Sequence, residues 1–308
     1  MAARRPRLAW AAPVRCCAAG GRHPRWATTP RRAFRAAGSG VAPPPADDQS
    51  ELVLLAPCSK PNLTTVEPGA LTFTTSAAPA PPYFLSDEPS DRLGLESELA
   101  YAVAEQLGFR PQEVTWEFAS AEDVLTGSFL DFDLAVDGYV ARPNEYPAIA
   151  YSTPYLETTT VLDVPDDEAR RVLLGVSQQT QPSSLRFAAP VQGTGRPWLL
   201  GKGWIPEGGG LAMWARAGTE MQEARIVTDA QLIDEPTRQW LESVADIDVS
   251  NVAGVDPPDI ALSFAMVQGN PLAACVDRGL AELSESGELE TITETRLNPE
   301  MWRIDDFT

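Results

Sequence analysis

The feature that most constrains the fold is an alternation of strand-like and helix-like segments between residues 69 and 138. GALTFTTS (69–76) alternates as a strand. After a proline-rich loop, LGLESELAYAVAEQLGF (93–109) places Leu95, Leu99, Ala102, Val103 and Leu107 at helical spacing, and Gly108 stops it. EVTWEF (113–118) predicts a second strand. SAEDVLTGSF (120–129) predicts a short helix capped by Ser120 with Glu122 and Asp123 in its first turn, and FDLAVDG (132–138) a third strand. This β-α-β-α-β order predicts a parallel sheet covered by helices, with ligands at the carboxyl ends of its strands.

Charge and residue usage exclude several functions. Residues 1–46 carry nine arginines and no acid, whereas from Asp47 onward 15 basic residues face 43 acidic ones. A body with a net charge near −28 repels nucleic acid and anionic membrane surfaces, because phosphate binding needs clustered Lys and Arg. The only histidine, His23, lies in the arginine-rich leader, and Cys16, Cys17, Cys58 and Cys275 have no metal-binding spacing. A zinc site and a Ser-His-Asp triad in the body are therefore not expected, and neither is a cofactor. No run approaches the ~18 apolar residues of a membrane span.

The leader has no helical or strand period, and residues 1–66 are expected to be leader and tether, largely disordered. A secretory signal is interrupted by Arg15, a transit peptide suits the arginines, and an over-extended gene start is the third reading. The third is favoured by LAPC (55–58), a near-match to a lipoprotein cleavage box, which makes Cys58 the candidate lipidation site. Pro57 departs from that box. An unmodified cysteine in a linker is the alternative.

Six phrases taken in order, GALTFTT, PPYF, GLESELAYAVAEQLG, DLAVDG, AYSTPY and GNPLAACVDRGLAELSESGELETI, resemble the periplasmic amino-acid-binding proteins of ABC transporters, solute-binding protein family 3. The likeness runs from about 69 to 164 and again from 259 to 297. It implies an α/β clamshell with two hinge crossings, near 155–164 and 255–262. Lobe I would comprise 67–158 plus 260–305, and lobe II 159–259. It also implies a non-enzymatic, monomeric receptor outside the cytoplasmic membrane, delivering an amino acid or related small polar solute to a permease and touching the membrane only through a lipid anchor. The alternatives are an enzyme on the same scaffold, similar to cyclohexadienyl dehydratases, with Glu145 as an acid, or a binder of a cationic amine.

Candidate ligand contacts follow from this resemblance. Tyr83 and Phe84 match a position that packs over the ligand's side chain, Gly138 ends the third strand with its amides facing the cleft, and Tyr139 walls it. The family's carboxylate-binding arginine aligns with Glu145, and Arg142, three residues earlier, is the substitute. RRVLLGVSQQT (170–180) resembles the strand-then-Gly-Thr turn that holds an anionic group, with Thr180 as the threonine. LAMWARAG and EARIVTDAQLIDEPTRQWL (223–241) resemble a helix, strand, aspartate and helix, with Asp229 as the ammonium-binding aspartate. GTGRPWLLGKGWIPEGGG (193–210) is expected to be a loop. Cys275 falls on an apolar helix face as a small buried residue.

Overall fold

The computed structural model describes residues 58–302 apart from 77, 177–179, 208–210, 215–225 and 253, with backbone alone for 211–214. The leader up to residue 57 lies outside the described residues. Two sheets organise the chain. The first joins β1 (Leu71–Thr75), β2 (Val114–Phe118), β3 (Leu134–Val140), β4 (Ile149–Tyr151), β5 (Leu156–Thr158) and β10 (Ile260–Val267). Its order is β2-β1-β3-β10-β4, with β5 also on β10. The first three strands are parallel, and β10 returns antiparallel between β3 and the β4/β5 pair.

The helices of this lobe follow from local chemistry. α1 (Leu95–Gln106) begins after Gly94 at φ 113°, where an added Cβ would lie 2.3 Å from the Tyr83 carbonyl oxygen. The Ser120 side chain accepts from the Asp123 amide at the start of α2 (Ala121–Thr126). α6 (Ala273–Ser286) ends at Gly287 in the left-handed region, and α7 (Glu288–Arg296) follows at once.

Strand alternation divides the core between the two faces of the sheet. Leu134, Val136 and Val140 of β3 join Leu71, Phe73, Leu99, Phe264 and Leu280 on one face, while Ala135 and Tyr139 join Val124, Phe132 and Ile149 on the other. Between the pairs Ala135↔Ala265 and Tyr139↔Ser263, β3 advances four residues and β10 two. β3 therefore bulges, with Gly138 at φ 60°. The strand runs through Gly138 to Val140 rather than ending there, which corrects the sequence expectation.

The second sheet has the order β6-β9-β7-β8: β6 (Thr160–Asp163), β9 (Ala230–Asp234), β7 (Phe187–Pro190) and β8 (Leu211–Trp214). β7 is parallel to both neighbours, and β6 is antiparallel to β9. One residue, Thr159, separates β5 of the first sheet from β6 of the second, and the chain returns through 255–259 into β10. Leu162, Leu173, Phe187, Leu199 and Leu232 fill one face, and Val161, Ala188, Ile233 and Leu241 the other.

Three segments of this lobe differ from expectation. Of the expected strand RRVLLGV, residues Arg170 to Leu173 belong to α3 (Asp167–Leu173) and Leu174 to Val176 follow its end. Asp166 caps it by accepting from the Ala169 amide, acids occupy its first turn and Arg170 and Arg171 its last, and these terminal signals prevail over the apolar run. The expected loop at 193–210 contains α4 (Gly195–Gly201). Pro197 falls in the first turn, where proline is tolerated, and Trp198, Leu199, Trp204 and Ile205 pack on the core. LAMW, expected as helix, is strand β8.

The tether is corrected in part. From Cys58 to Val66 it straps lobe I: Lys60 pairs with Glu113 at 2.7 Å, Leu63 packs on the core, and the Val66 amide donates to Asp133. Cys58 forms a disulfide with Cys275 of α6. A sulfur in a disulfide cannot carry a thioether-linked lipid, so the bonded form has no lipidation at Cys58, and Cys275 is a cross-link rather than a buried filler. Among the described residues no helix is long and apolar enough to cross a membrane, and no group of His, Cys, Asp and Glu is arranged to hold a metal.

Candidate functional site

The carboxyl ends of β3, β7 and β9 meet where the two sheets face one another. Gly138 and Val140 of β3 and Ile260 of β10 contribute from the first lobe. Thr160, Pro190, the turn Gly193-Thr194-Gly195, and Leu232 to Asp234 contribute from the second. The cavity they enclose is small, about 20 Å³ for the centre of a water molecule, close to the ~10–15 Å³ that one water needs.

The lobe II half is built by close packing. An added Cβ on Gly195 would lie 2.6 Å from the Ala189 Cβ and 3.2 Å from Leu232 Cδ1. Glycine at that position lets α4 sit directly on β7 and β9, and this carries the Gly-Thr turn to the cavity wall. Asp234 ends β9 and caps α5 (Glu235–Ser243), its carboxylate accepting from the Thr237 amide at 2.9 Å. It is only 4% exposed. Pro236 at the second helical position favours this start.

The structure scatters the residues singled out by sequence. Gly138 lines the cavity. Tyr139 is fully buried on the α2 side of β3, where burial and the nearby Asp137 and Glu96 carboxylates push its phenol up. Tyr83 and Phe84 are buried in the lobe I core, Phe84 edge-on to Trp116 at 5.8 Å. Arg142 is only 9% exposed at its side chain. Its Nη1 donates to Glu145 at 3.1 Å, and Glu145 itself remains 39% exposed. Thr180 is half-buried, ahead of the short turn Pro182–Ser184 that leads into the start of β7.

Asp229 stands before β9 rather than between strand and helix; the place between them is Asp234's. Its carboxylate accepts from the Arg186 amide at 2.7 Å and from the Arg186 guanidinium at 3.2 and 3.0 Å, which holds it below the usual carboxylate range. Because folding lowers this pKa, its contribution to stability is present above about pH 4 and is lost as pH falls through the lowered value. Asp229→Ala should cost about 0.5–1 kcal/mol in urea unfolding at pH 7, as for a mostly exposed pair, and leave ligand affinity unchanged by calorimetry.

Sequence reasoning missed Gly193, Thr194, Gly195 and Asp234. Signals for all four were present: AAPVQGTG is a strand followed by a Gly-Thr turn, and AQLIDEPTRQW is a strand, an aspartate and a helix.

Two α/β lobes joined by two crossings, with a cavity between the carboxyl ends of their strands, define a periplasmic-binding-type protein. The profile of the bacterial extracellular solute-binding proteins, family 3, matches residues 71–298, and the chain belongs to that family. No curated protein matches the chain significantly. Among solved structures, the solute receptors for L-cysteine of Neisseria gonorrhoeae share 17% identity at a TM-score of 0.58, covering 77% of this chain and 98% of that one. The substrate-binding protein AbpA from Streptococcus pneumoniae, bound to L-arginine, shares 20% at 0.56, covering 76% and 96%. An ancestral amino-acid-binding protein that is a precursor of cyclohexadienyl dehydratase shares 21% at 0.53, covering 75% and 96%. These likenesses establish the fold.

Proposed function

We propose that this chain is the extracytoplasmic receptor of an amino-acid ABC importer, in which lobe I (67–158 plus 260–305) and lobe II (159–259) close on a free amino acid and present it to a permease. One observation carries the reading: a buried carboxylate, Asp234, and the backbone of the Gly193–Gly195 turn face the same cavity as Gly138 of the opposite lobe. An ammonium at Asp234 and a carboxylate at the amides of the turn suit the two ends of a zwitterion. Tyr83, Phe84 and Tyr139 act beneath the site, by packing. The Cys58–Cys275 disulfide supports an oxidising compartment such as the periplasm or cell surface.

Acid catalysis by Glu145 has less support, because a carboxylate acting as an acid near neutral pH needs desolvation, and this one is exposed and paired with Arg142. A thermal-shift panel of amino acids, polyamines and betaines tests the proposal. One amino acid, at about 100 times its dissociation constant, should add roughly 2.7 kcal/mol to the folded state. Stabilisation by polyamines alone, or product formed from prephenate or arogenate, would count against it.

A further inference from the structure

Arg142 lies in lobe I, yet its shortest hydrogen bond crosses to lobe II. Nη2 donates to the Val191 carbonyl oxygen at 2.7 Å, while Glu145 and the Tyr146 ring, 4.7 Å away, hold the guanidinium from its own side. The same lobe II turn is tied at two further points. Gln192, fully buried, donates from Nε2 to the Asp137 backbone carbonyl at 2.9 Å, and its backbone carbonyl accepts from the Val140 amide at 3.2 Å. Val191 packs on the lobe I cluster that includes Tyr139, Tyr146 and Tyr151. With this turn seated, the cavity has room for about one water.

We propose that Arg142 is an interlobe latch. It grips the Val191 carbonyl as it would grip a carboxylate oxygen of a ligand, and so ties lobe I to the Val191–Gln192 turn of lobe II. A charge-assisted bond from a guanidinium already oriented by Glu145 and Tyr146 is stronger than a neutral one and loses little side-chain freedom on forming. Opening breaks this bond, the two Gln192 bonds and the Val191 contact together. Arg142 is thus a positioning residue that sets the open–closed balance. The inference rests on the two sheets being the lobes of a receptor.

The Val140 amide reports the latch directly, because its hydrogen-bond acceptor lies in the other lobe. Full-length protein, stripped of carried-over solute by unfolding and refolding with its disulfide intact, is followed by hydrogen exchange without added ligand. Val140 should be protected in the wild type and exchange at least about tenfold faster in Arg142→Ala, the factor that 1.4 kcal/mol supplies. The Phe73 amide, in the middle of the first sheet, should be unchanged, and Arg142→Lys should retain part of the protection. Equal Val140 rates in wild type and Arg142→Ala, with Phe73 protected in both, overturn the latch. If Arg142→Ala also loses Phe73 protection, Arg142→Gln, which keeps much of the bulk and removes the charge, is read in its place with the same two outcomes. Since no ligand is added, a panel in which no amino acid binds leaves this result standing, and equal rates in a protein that does bind one overturn the latch alone.

Discussion

Asp234→Asn should weaken amino-acid binding by about 2–5 kcal/mol while leaving the fold almost as stable as the wild type. The binding loss follows from removing one member of a desolvated charge pair, which strands the ligand's ammonium beside a neutral amide. The helix start is kept because one contact of the residue, accepting a hydrogen bond from the Thr237 amide at the start of α5, is made about equally well by asparagine at a helix N-cap. Calorimetry and urea unfolding on the same preparation separate the two effects. Asp234→Ala supplies the contrast: it should lose the binding and also about 1 kcal/mol of stability with the cap. Unchanged affinity in Asp234→Asn would mean that the ammonium is held elsewhere.

Lobe I was legible because its local signals agree with one another. The alternation in β1 and β3, the cap at Ser120 and the stops at Gly108 and Gly287 each lie beside the element they delimit, and each is where the structure uses it. Lobe II was misread where local signals conflict. The glycines and proline around α4 conceal its apolar positions, yet Gly195 is required there by its 2.6 Å approach to Ala189. VLLGV suggests a strand, while the Asp166 cap and the charges flanking it specify a helix. EARIV, apolar ahead of an aspartate, drew the strand seven residues too early, although Ile226 is 81% exposed and the buried strand is the less apolar AQLID.

Two features could not be read locally at all. Arg142 and Val191 are 49 residues apart, and a backbone carbonyl leaves no mark in sequence. The partner of Cys58 is 217 residues away, and cysteine spacing does not specify pairing. The first contact exists only once the two lobes meet, and the second only once lobe I is assembled from its two chain segments. Arg142, expected at the ligand, is hydrogen-bonded across the lobes, and Cys58, expected as the lipidation site, is paired with Cys275.

Removing the cross-link is the largest stability effect expected. Cys275→Ser should cost about 2–5 kcal/mol, toward the upper end because chain-entropy stabilisation grows with the length of the loop closed and this one spans most of the body. The loss should appear in urea unfolding as a lower midpoint. The strap from Cys58 to Val66 should loosen first, since it then relies on non-covalent contacts such as the Lys60–Glu113 pair, Lys60 over the Phe109 ring, Leu63 and the Val66–Asp133 bond. Reductant should bring the wild type to the variant's stability and leave the variant unaffected. Alkylation of the native protein under denaturing, non-reducing conditions separates cross-link from anchor. A Cys58–Cys275 disulfide leaves both sulfurs unmodified until reductant is added, whereas a lipid on Cys58 would leave Cys275 as an alkylatable thiol and carry a matching mass on the Cys58 peptide. A Cys275 that is modified before reduction, in a wild type no more stable than Cys275→Ser, would remove the disulfide from the account, and a lipid mass on the Cys58 peptide would restore the anchor.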